Sequence, residues 1–213
     1  MSTETSPASH ALLDWEAARA HFRTVDPDFA HLAEALENPQ PAPTRTAFES
    51  LARAIIGQQL STRAAATIWS RLAKFHSGLP VPQSVLDTTA EAHRALGVSG
   101  QKHGYLQSLA THVLEAPADF EAVQDWADED IVARWTQVKG LGRWTVQMHL
   151  MFALNRPDVF PVDDLGIRRA MELHFGLQKD GPKAHYEKRA RIWGPFRTAA
   201  SRFLWMSLDN QPK

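Results

Sequence analysis

The sequence predicts an all-α protein, and three observations carry that prediction. Apolar residues recur at steps of three and four along most of the 213 residues, the period of amphipathic helices. Strand signals are nearly missing, with 2 tyrosines, few Val/Ile/Thr runs and no Asn-Gly turn. The 44% apolar content is enough for a sizeable core, which excludes a wholly disordered chain.

The chain contains no cysteine, so disulfide scaffolds, thiolate zinc sites, iron–sulfur clusters and cysteine nucleophiles are excluded together. No apolar stretch approaches the ~20 residues of a membrane span, and the first ten residues have neither a basic start nor an apolar signal core. An unexported, cytoplasmic monomer is expected. The net charge of −1 hides an asymmetry: residues 1–45 carry −4, 46–138 carry −3, and 139–213 carry +6. A basic last third suits one anion-facing surface, and it also suits a solvated helix face.

Residues 1–10 are rich in Ser, Thr and Pro and read as a frayed tail. Helices are predicted over 11–22 and 27–36, ending in Pro39-Gln40-Pro41-Ala42-Pro43, where three prolines forbid a continuing helix. From Phe48 the spacing of Phe48, Leu51, Ala52, Ile55 and Ile56 predicts a helix. A polar break, Gly57-Gln58-Gln59-Leu60-Ser61, precedes a second helix with Ala65, Ile68, Trp69, Leu72 and Phe75 on one side. Ser61 is suited to cap it, because its hydroxyl can accept from an unpaired first-turn amide. Further helices are predicted over 84–87, 89–95, 102–115, 120–126 and 128–136. This divides the chain into the tail 1–10, helices within 11–45 that pack on the C-terminal lobe, a central lobe 46–136, and a hairpin plus C-terminal lobe 137–213.

Chemistry concentrates in two segments. In the first, a helix ends near Thr136, Gly140-Leu141-Gly142 turns the chain, and a new helix starts at Gly142–Arg143. Glycines admit positive φ and close backbone approach, and the free amides and positive end of the new helix then point outwards. Such a turn can hold a phosphate, with Lys139 and Arg143 beside it, and it can equally be an ordinary helix–helix connection. The second segment is Pro157-Asp158-Val159-Phe160-Pro161-Val162-Asp163-Asp164, followed by a helix with Leu165, Ile167, Ala170, Met171 and Leu173. One aspartate can cap that helix, which leaves the other for acid–base or electrostatic work at a developing cation.

With these residues in view, the chain resembles the helix-hairpin-helix (HhH-GPD) DNA glycosylases, in particular their 3-methyladenine DNA glycosylase II branch, over about residues 46–208. The likeness rests on four ordered motifs: Ala54-Ile55-Ile56-Gly57-Gln58-Gln59-Leu60-Ser61, Gly140-Leu141-Gly142-Arg143-Trp144-Thr145, Asp158-Val159-Phe160-Pro161-Val162-Asp163-Asp164 and Trp193-Gly194-Pro195-Phe196-Arg197-Thr198. It implies a two-lobed helical fold with the active-site cleft between lobes. Asp164 falls where the family keeps its essential carboxylate, which leaves Asp163 as the cap. The amides of Gly140, Gly142 and Thr145, with Lys139 and Arg143, would hold a DNA phosphate. Trp144, Trp205 and Met148 fall on positions lining the base pocket, Met148 standing where a tyrosine occurs in relatives. Gln59 or Leu60 would wedge into the duplex, Gln59 replacing a leucine. The carbonyls of Thr136, Val138 and Leu141 fall where relatives hold a structural sodium or potassium ion, and catalysis needs no cofactor.

The resemblance further implies the reaction. Bifunctional relatives carry a nucleophilic lysine where this chain has Trp144, so hydrolysis of the glycosidic bond without strand cleavage is expected. Alkylation at a ring nitrogen makes 3-methyladenine or 7-methylguanine cationic, which strengthens stacking on indole and weakens the glycosidic bond. The expected partner is duplex DNA containing such bases. Only about 45 residues precede Phe48, so a compact form without the N-terminal α/β domain of longer members is expected. Three rivals are a non-catalytic hairpin DNA-binding module, a glycosylase of the same superfamily acting on other lesions, and a histidine-based metalloenzyme. None of the 10 histidines falls in a His-x-x-x-His spacing, and His103, His112 and His149 read as surface or pocket-edge residues. Trp15, Trp69, Trp126 and Trp135 are assigned to packing.

Overall fold

The computed structural model describes residues 13–40, 43 and 45–209. The expected tail 1–10, residues 11–12 of the first expected helix, and Pro41 and Ala42 of the proline connector lie outside that set. Among the described residues there is no strand. The helices are α1 (Trp15–Val25), α2 (Pro27–Glu34), α3 (Ala47–Gly57), α4 (Thr62–Phe75), α5 (Pro82–Leu86), α6 (Ala90–Ala95), α7 (Gly100–Glu115), α8 (Ala118–Glu121), α9 (Asp128–Trp135), α10 (Arg143–Phe152), α11 (Leu165–Phe175), α12 (Lys183–Ala190) and α13 (Arg197–Asp209), with a 3-10 turn at Arg191–Trp193. None of them is long and apolar enough to cross a membrane.

Short polar side chains start many of these helices by accepting from an amide three residues on: Asp14 for α1, Asp26 for α2, Thr46 for α3, Thr89 for α6 and Ser99 for α7. Ser61 does so for α4, accepting from Ala64 N at 3.3 Å as its position predicts. The expected helix over 120–126 is the clearest miss. Only α8 forms there, the chain leaving helical geometry at Ala122 (φ −104°, ψ 36°) so that Val123 is buried in the following turn. Tertiary packing, not spacing, sets that end. Helices α12 and α13 had no predicted bounds.

The chain divides into two units, one of residues up to 42 and from 150 onward, the other of residues 43–149. The boundaries fall between residues 42 and 43 and inside α10, between residues 149 and 150. In the first unit, α1 and α2 share a core with the C-terminal helices. Phe22, Phe29, Ile167, Met171, Trp193 and Phe203 are all fully buried there. Phe22 meets Phe29 edge-on at 4.7 Å, and Phe29 meets Trp193 at 4.6 Å. Asp26 ties this core together: its Oδ1 accepts from Phe29 N at 3.2 Å, and its Oδ2 accepts from the Trp193 indole at 2.6 Å and pairs with Arg189. Burial opposes the charge on Asp26, but the hydrogen bonds from Arg189, Trp193 and Phe29 outweigh it and hold the carboxyl below its ordinary range.

In the second unit, α3 packs on α4 and α7, and α5 packs on α7. Leu51, Ile55, Ile56, Leu72, Leu106, Leu109 and Trp135 are buried, each such side chain contributing about 1.5–3 kcal/mol. His149 belongs with them. It is 3% exposed and lies 4.9 Å from Trp135, not at a surface or pocket edge, because it follows the apolar Val146 by three positions on the buried side of α10. His103 is half-buried and shares a hydrogen bond with His93, Nδ1 to Nδ1 at 2.7 Å, and His112 Nδ1 bonds Ser108 O at 2.8 Å.

Candidate active site

The loop before α11 turns sharply, with Asp164 N donating to Pro161 O at 2.9 Å, and this sets Asp164 at the N-cap (φ −74°, ψ 119°). Its Oδ1 accepts from Ile167 N at 2.9 Å and from the indole Nε1 of Trp205 at 2.8 Å. The expected division of labour is therefore corrected: Asp164 is the cap, and Asp163 instead pairs with Lys183. Capping and catalysis need not be separate tasks, because the cap bond engages Oδ1 and fixes the rotamer. Trp205 stacks on Phe152, centroids 5.8 Å apart at 21°, and the Arg202 guanidinium lies 5.4 Å from the Phe152 centroid. Phe152 went unnoticed in the sequence. It follows Trp144 and Met148 at a further step of four, and that spacing could have found it.

Gly166 makes the close approach of Trp205 possible. A Cβ there would stand 3.1 Å from Asp164 Oδ1, 3.2 Å from Trp205 Cδ1 and 3.3 Å from its Nε1. The two C-terminal motifs brace one another behind this carboxylate. Arg197 donates from Nε to Asp158 Oδ1 at 2.6 Å and from Nη2 to Oδ2 at 2.8 Å, a fork that holds the Asp158 carboxyl below its ordinary range. Thr198 Oγ1 donates to Arg156 O at 2.6 Å and accepts from Val159 N at 3.0 Å. The loop that ends in Asp164 is thus strapped to the start of α13, the helix that carries Trp205.

The hairpin lies in the other unit. Val138 N donates to Trp135 O and Leu141 N to Val138 O, both at 3.0 Å, and α10 follows at Arg143. Of its two glycines only Gly140 has a positive φ, +96°, and a Cβ there would fall 2.3 Å from the Tyr105 ring. Gly142 needs no special backbone, and a Cβ on it would meet open space. Thr145 is buried in the first turn of α10, where amides lack intrahelical partners. Lys139 is exposed, whereas Arg143 pairs with Glu129. Both partners of that pair are well exposed, so it contributes at most about 1 kcal/mol.

Trp144 is 39% exposed and Met148 half-buried one turn later, while Val146 and Leu150 between and beyond them are buried. In the α3–α4 turn, Gln59 takes φ +56° and is exposed, and Leu60 is 40% exposed. Leu60 is thus an apolar side chain held out next to a residue in the left-handed region. The carbonyls of Thr136, Val138 and Leu141 belong to the hairpin and its approach. That of Val138 accepts one hydrogen bond and keeps a second lone pair, and carbonyl oxygen is the donor type that hard cations take.

Comparison with known proteins bears on what this arrangement does. Residues 52–195 match the family model described as HhH-GPD superfamily base excision DNA repair protein. A relative named DNA-3-methyladenine glycosylase 1, from Schizosaccharomyces pombe, is 36% identical over 195 residues, 88% of this chain and 85% of the relative. The structure of the 3-methyladenine DNA glycosylase of that organism in complex with abasic DNA superposes with a TM-score of 0.80 at 33% identity, covering 89% of this chain and 95% of the other. A DNA-3-methyladenine glycosidase from Bacillus halodurans gives a TM-score of 0.81 at 28% identity over 93% of this chain and 92% of its own.

Proposed function

Because the chain belongs to the HhH-GPD superfamily of base excision DNA repair proteins, we propose that it is a DNA glycosylase of the 3-methyladenine type. It hydrolyses the N-glycosidic bond of alkylated bases in duplex DNA and leaves an abasic site. The single observation that carries the reading is the carboxylate of Asp164, fixed at the N-cap of α11 by Ile167 N and by the Trp205 indole, with Trp205 stacked on Phe152.

Each residue then has a task. A base flipped out of the stack meets the aromatic surface of Trp205, backed by Phe152. Flipping costs a few kcal/mol, least for damaged bases. An alkylated purine is cationic, so indole attracts it more than an ordinary base. As the glycosidic bond lengthens, positive charge develops on the sugar, and Asp164, already oriented, stabilises it and positions the water that captures it. The departing electron pair neutralises the purine, so alkylation has already prepared the leaving group. Indole at Trp144 cannot form a Schiff base, which limits the chemistry to hydrolysis.

The hairpin amides of Gly140, Gly142 and Thr145, with Lys139 and Arg143, hold a phosphate of the lesion strand. Arg143 exchanges Glu129 for that phosphate, a weak exposed pair for a stronger one. Gln59 and Leu60 enter the duplex at the vacated position. The carbonyls of Thr136, Val138 and Leu141 would hold a sodium or potassium ion, which would stiffen the turn by drawing three dipoles together.

The test is a duplex carrying one 7-methylguanine. The proposal expects free 7-methylguanine as product and strand breaks only after alkali. Breaks without alkali would overturn the hydrolytic assignment, and binding without base release would overturn the enzymatic one.

A further inference from the structure

The α3–α4 turn and the hairpin are joined by hydrogen bonds that spacing along the chain does not reveal. Gln58 ends α3, its own N–H donating back to Ala54 O at 3.1 Å, and its side-chain Nε2 donates to Gly140 O at 2.9 Å, a contact across 82 positions. Lys102, on α7, donates from Nζ to Ile56 O at 2.7 Å and to Gln58 O at 2.8 Å. One turn further along α7, Tyr105 packs against the face of Gly140 that a Cβ would fill, and its hydroxyl accepts from Gln101 at 2.6 Å. A single helix therefore holds both segments, and Gln58 links them directly. Its two neighbours, Gln59 and Leu60, are the exposed residues of the turn, and Ser61 fixes the far side by capping α4.

We propose that Gln58 and Lys102 are positioning residues that lock the Gln59-Leu60 turn to the phosphate-holding hairpin, so that the grip on one strand and the opening of the duplex keep a fixed separation. This rests on the assignment of both segments to DNA made above. Neither residue touches the base or the sugar. They act by denying the turn the freedom to retreat when it meets the base stack. A wedge on a loose turn would lose orientation at the moment of insertion, while the hairpin would still bind the backbone. The brace predicts a separation of effects: weaker opening with unchanged grip.

The experiment uses the intact chain with Gln58→Met, which keeps the length of the side chain and removes its donor, and with Gln59→Ala and the double variant. Three readouts are taken: affinity for undamaged duplex, the fluorescence rise of 2-aminopurine opposite a tetrahydrofuran abasic analogue, and single-turnover release of 7-methylguanine. The proposal expects Gln58→Met to bind undamaged duplex within twofold of wild type, to lose at least fivefold in fluorescence amplitude, and to release base at least tenfold more slowly. The double variant should be no slower than the slower single, because both changes act on one element. Fluorescence within twofold of wild type, or effects that multiply in the double variant, would overturn it. If Gln58→Met does not fold, Gln58→Asn carries the same expectation, and failure of both to fold would show that Gln58 serves the fold rather than the turn, which also overturns the proposal. If wild type unstacks 2-aminopurine but releases no 7-methylguanine, the proposed reaction fails while the fluorescence arm still decides the brace.

Discussion

Substituting Gly166 by alanine separates the geometry of the carboxylate from the stability of the fold. Gly166 is the second residue of α11, and its φ is not in the positive region, so alanine is compatible with the backbone. On helix propensity alone Gly→Ala gains up to about 1 kcal/mol. The new Cβ would lie 3.1 Å from Asp164 Oδ1 and 3.2–3.3 Å from two atoms of the Trp205 indole, tighter than ordinary van der Waals contact. Relief requires the indole and carboxylate to separate by a few tenths of an ångström, stretching a 2.8 Å hydrogen bond. Since a misplacement of about 1 Å can reduce catalysis a hundredfold, a shift of this size should slow base release by about three- to tenfold, equivalent to roughly 0.7–1.4 kcal/mol. Single-turnover release of 7-methylguanine and urea unfolding would be measured on the same preparation. Slower release at equal or greater stability is expected. Release within twofold of wild type in a fold at least as stable would refute the claim that Trp205 sets the position of Asp164.

Two further outcomes follow from the same contacts. Trp205→Phe keeps a ring against Phe152 but removes the N–H that Asp164 Oδ1 accepts. With about 1.5–3 kcal/mol for a hydrogen bond to a charged group, release should slow roughly 10–100-fold while affinity for undamaged duplex stays within twofold. Loss in affinity alone would contradict the positioning role. Burial pushes the pKa of His149 down to about 4, so the folded protein keeps it neutral while the unfolded chain protonates it below about 6.5. Its contribution to stability is complete above that value and is lost as pH falls towards 4, amounting to about 2 kcal/mol by pH 5. Urea unfolding at pH 7.5 and pH 5 should show His149→Leu losing about 2 kcal/mol less than wild type over that interval. Equal losses would show that His149 is not held neutral. His93 is pushed down to about 4 as well, by burial and by His103 and His76, and adds to the acid sensitivity in the same direction.

Local features of the fold were legible in the sequence because local rules decide them. Ser61 caps α4 because a hydroxyl ahead of an apolar-periodic run has an amide three residues on to satisfy, and Gly140 stands out because its positive φ favours glycine. What was not legible depends on partners far along the chain. Nothing adjacent to Gln58 indicates that its amide reaches Gly140, and nothing in the Asp163-Asp164 pair says which carboxylate caps. The second was decided by Trp205, 41 positions on, and by Lys183, which draws Asp163 away. Arg143 reads in the sequence as a cation beside a phosphate, and Glu129 meets it in the fold. The end of α8 likewise followed from packing that periodicity alone could not rank, whereas the burial of His149 follows its place three positions after Val146. The four motifs, read as separate signatures, turn out to be two braces, Gln58 with the hairpin in one unit and Asp158 with Arg197 in the other.

On the proposed function, the charge of Asp164, not merely its place at a helix start, drives base release. Asn is as good an N-cap as Asp, and its amide oxygen can accept from Ile167 and Trp205 as the carboxylate does, so Asp164→Asn removes charge while retaining the cap. The decisive measurement is single-turnover release of 7-methylguanine from duplex DNA by this variant, beside its affinity for the same duplex. Release slowed by about 10²–10⁴-fold, with affinity within a few-fold of wild type, is expected. Release within tenfold of wild type would contradict it and return Asp164 to a purely structural role.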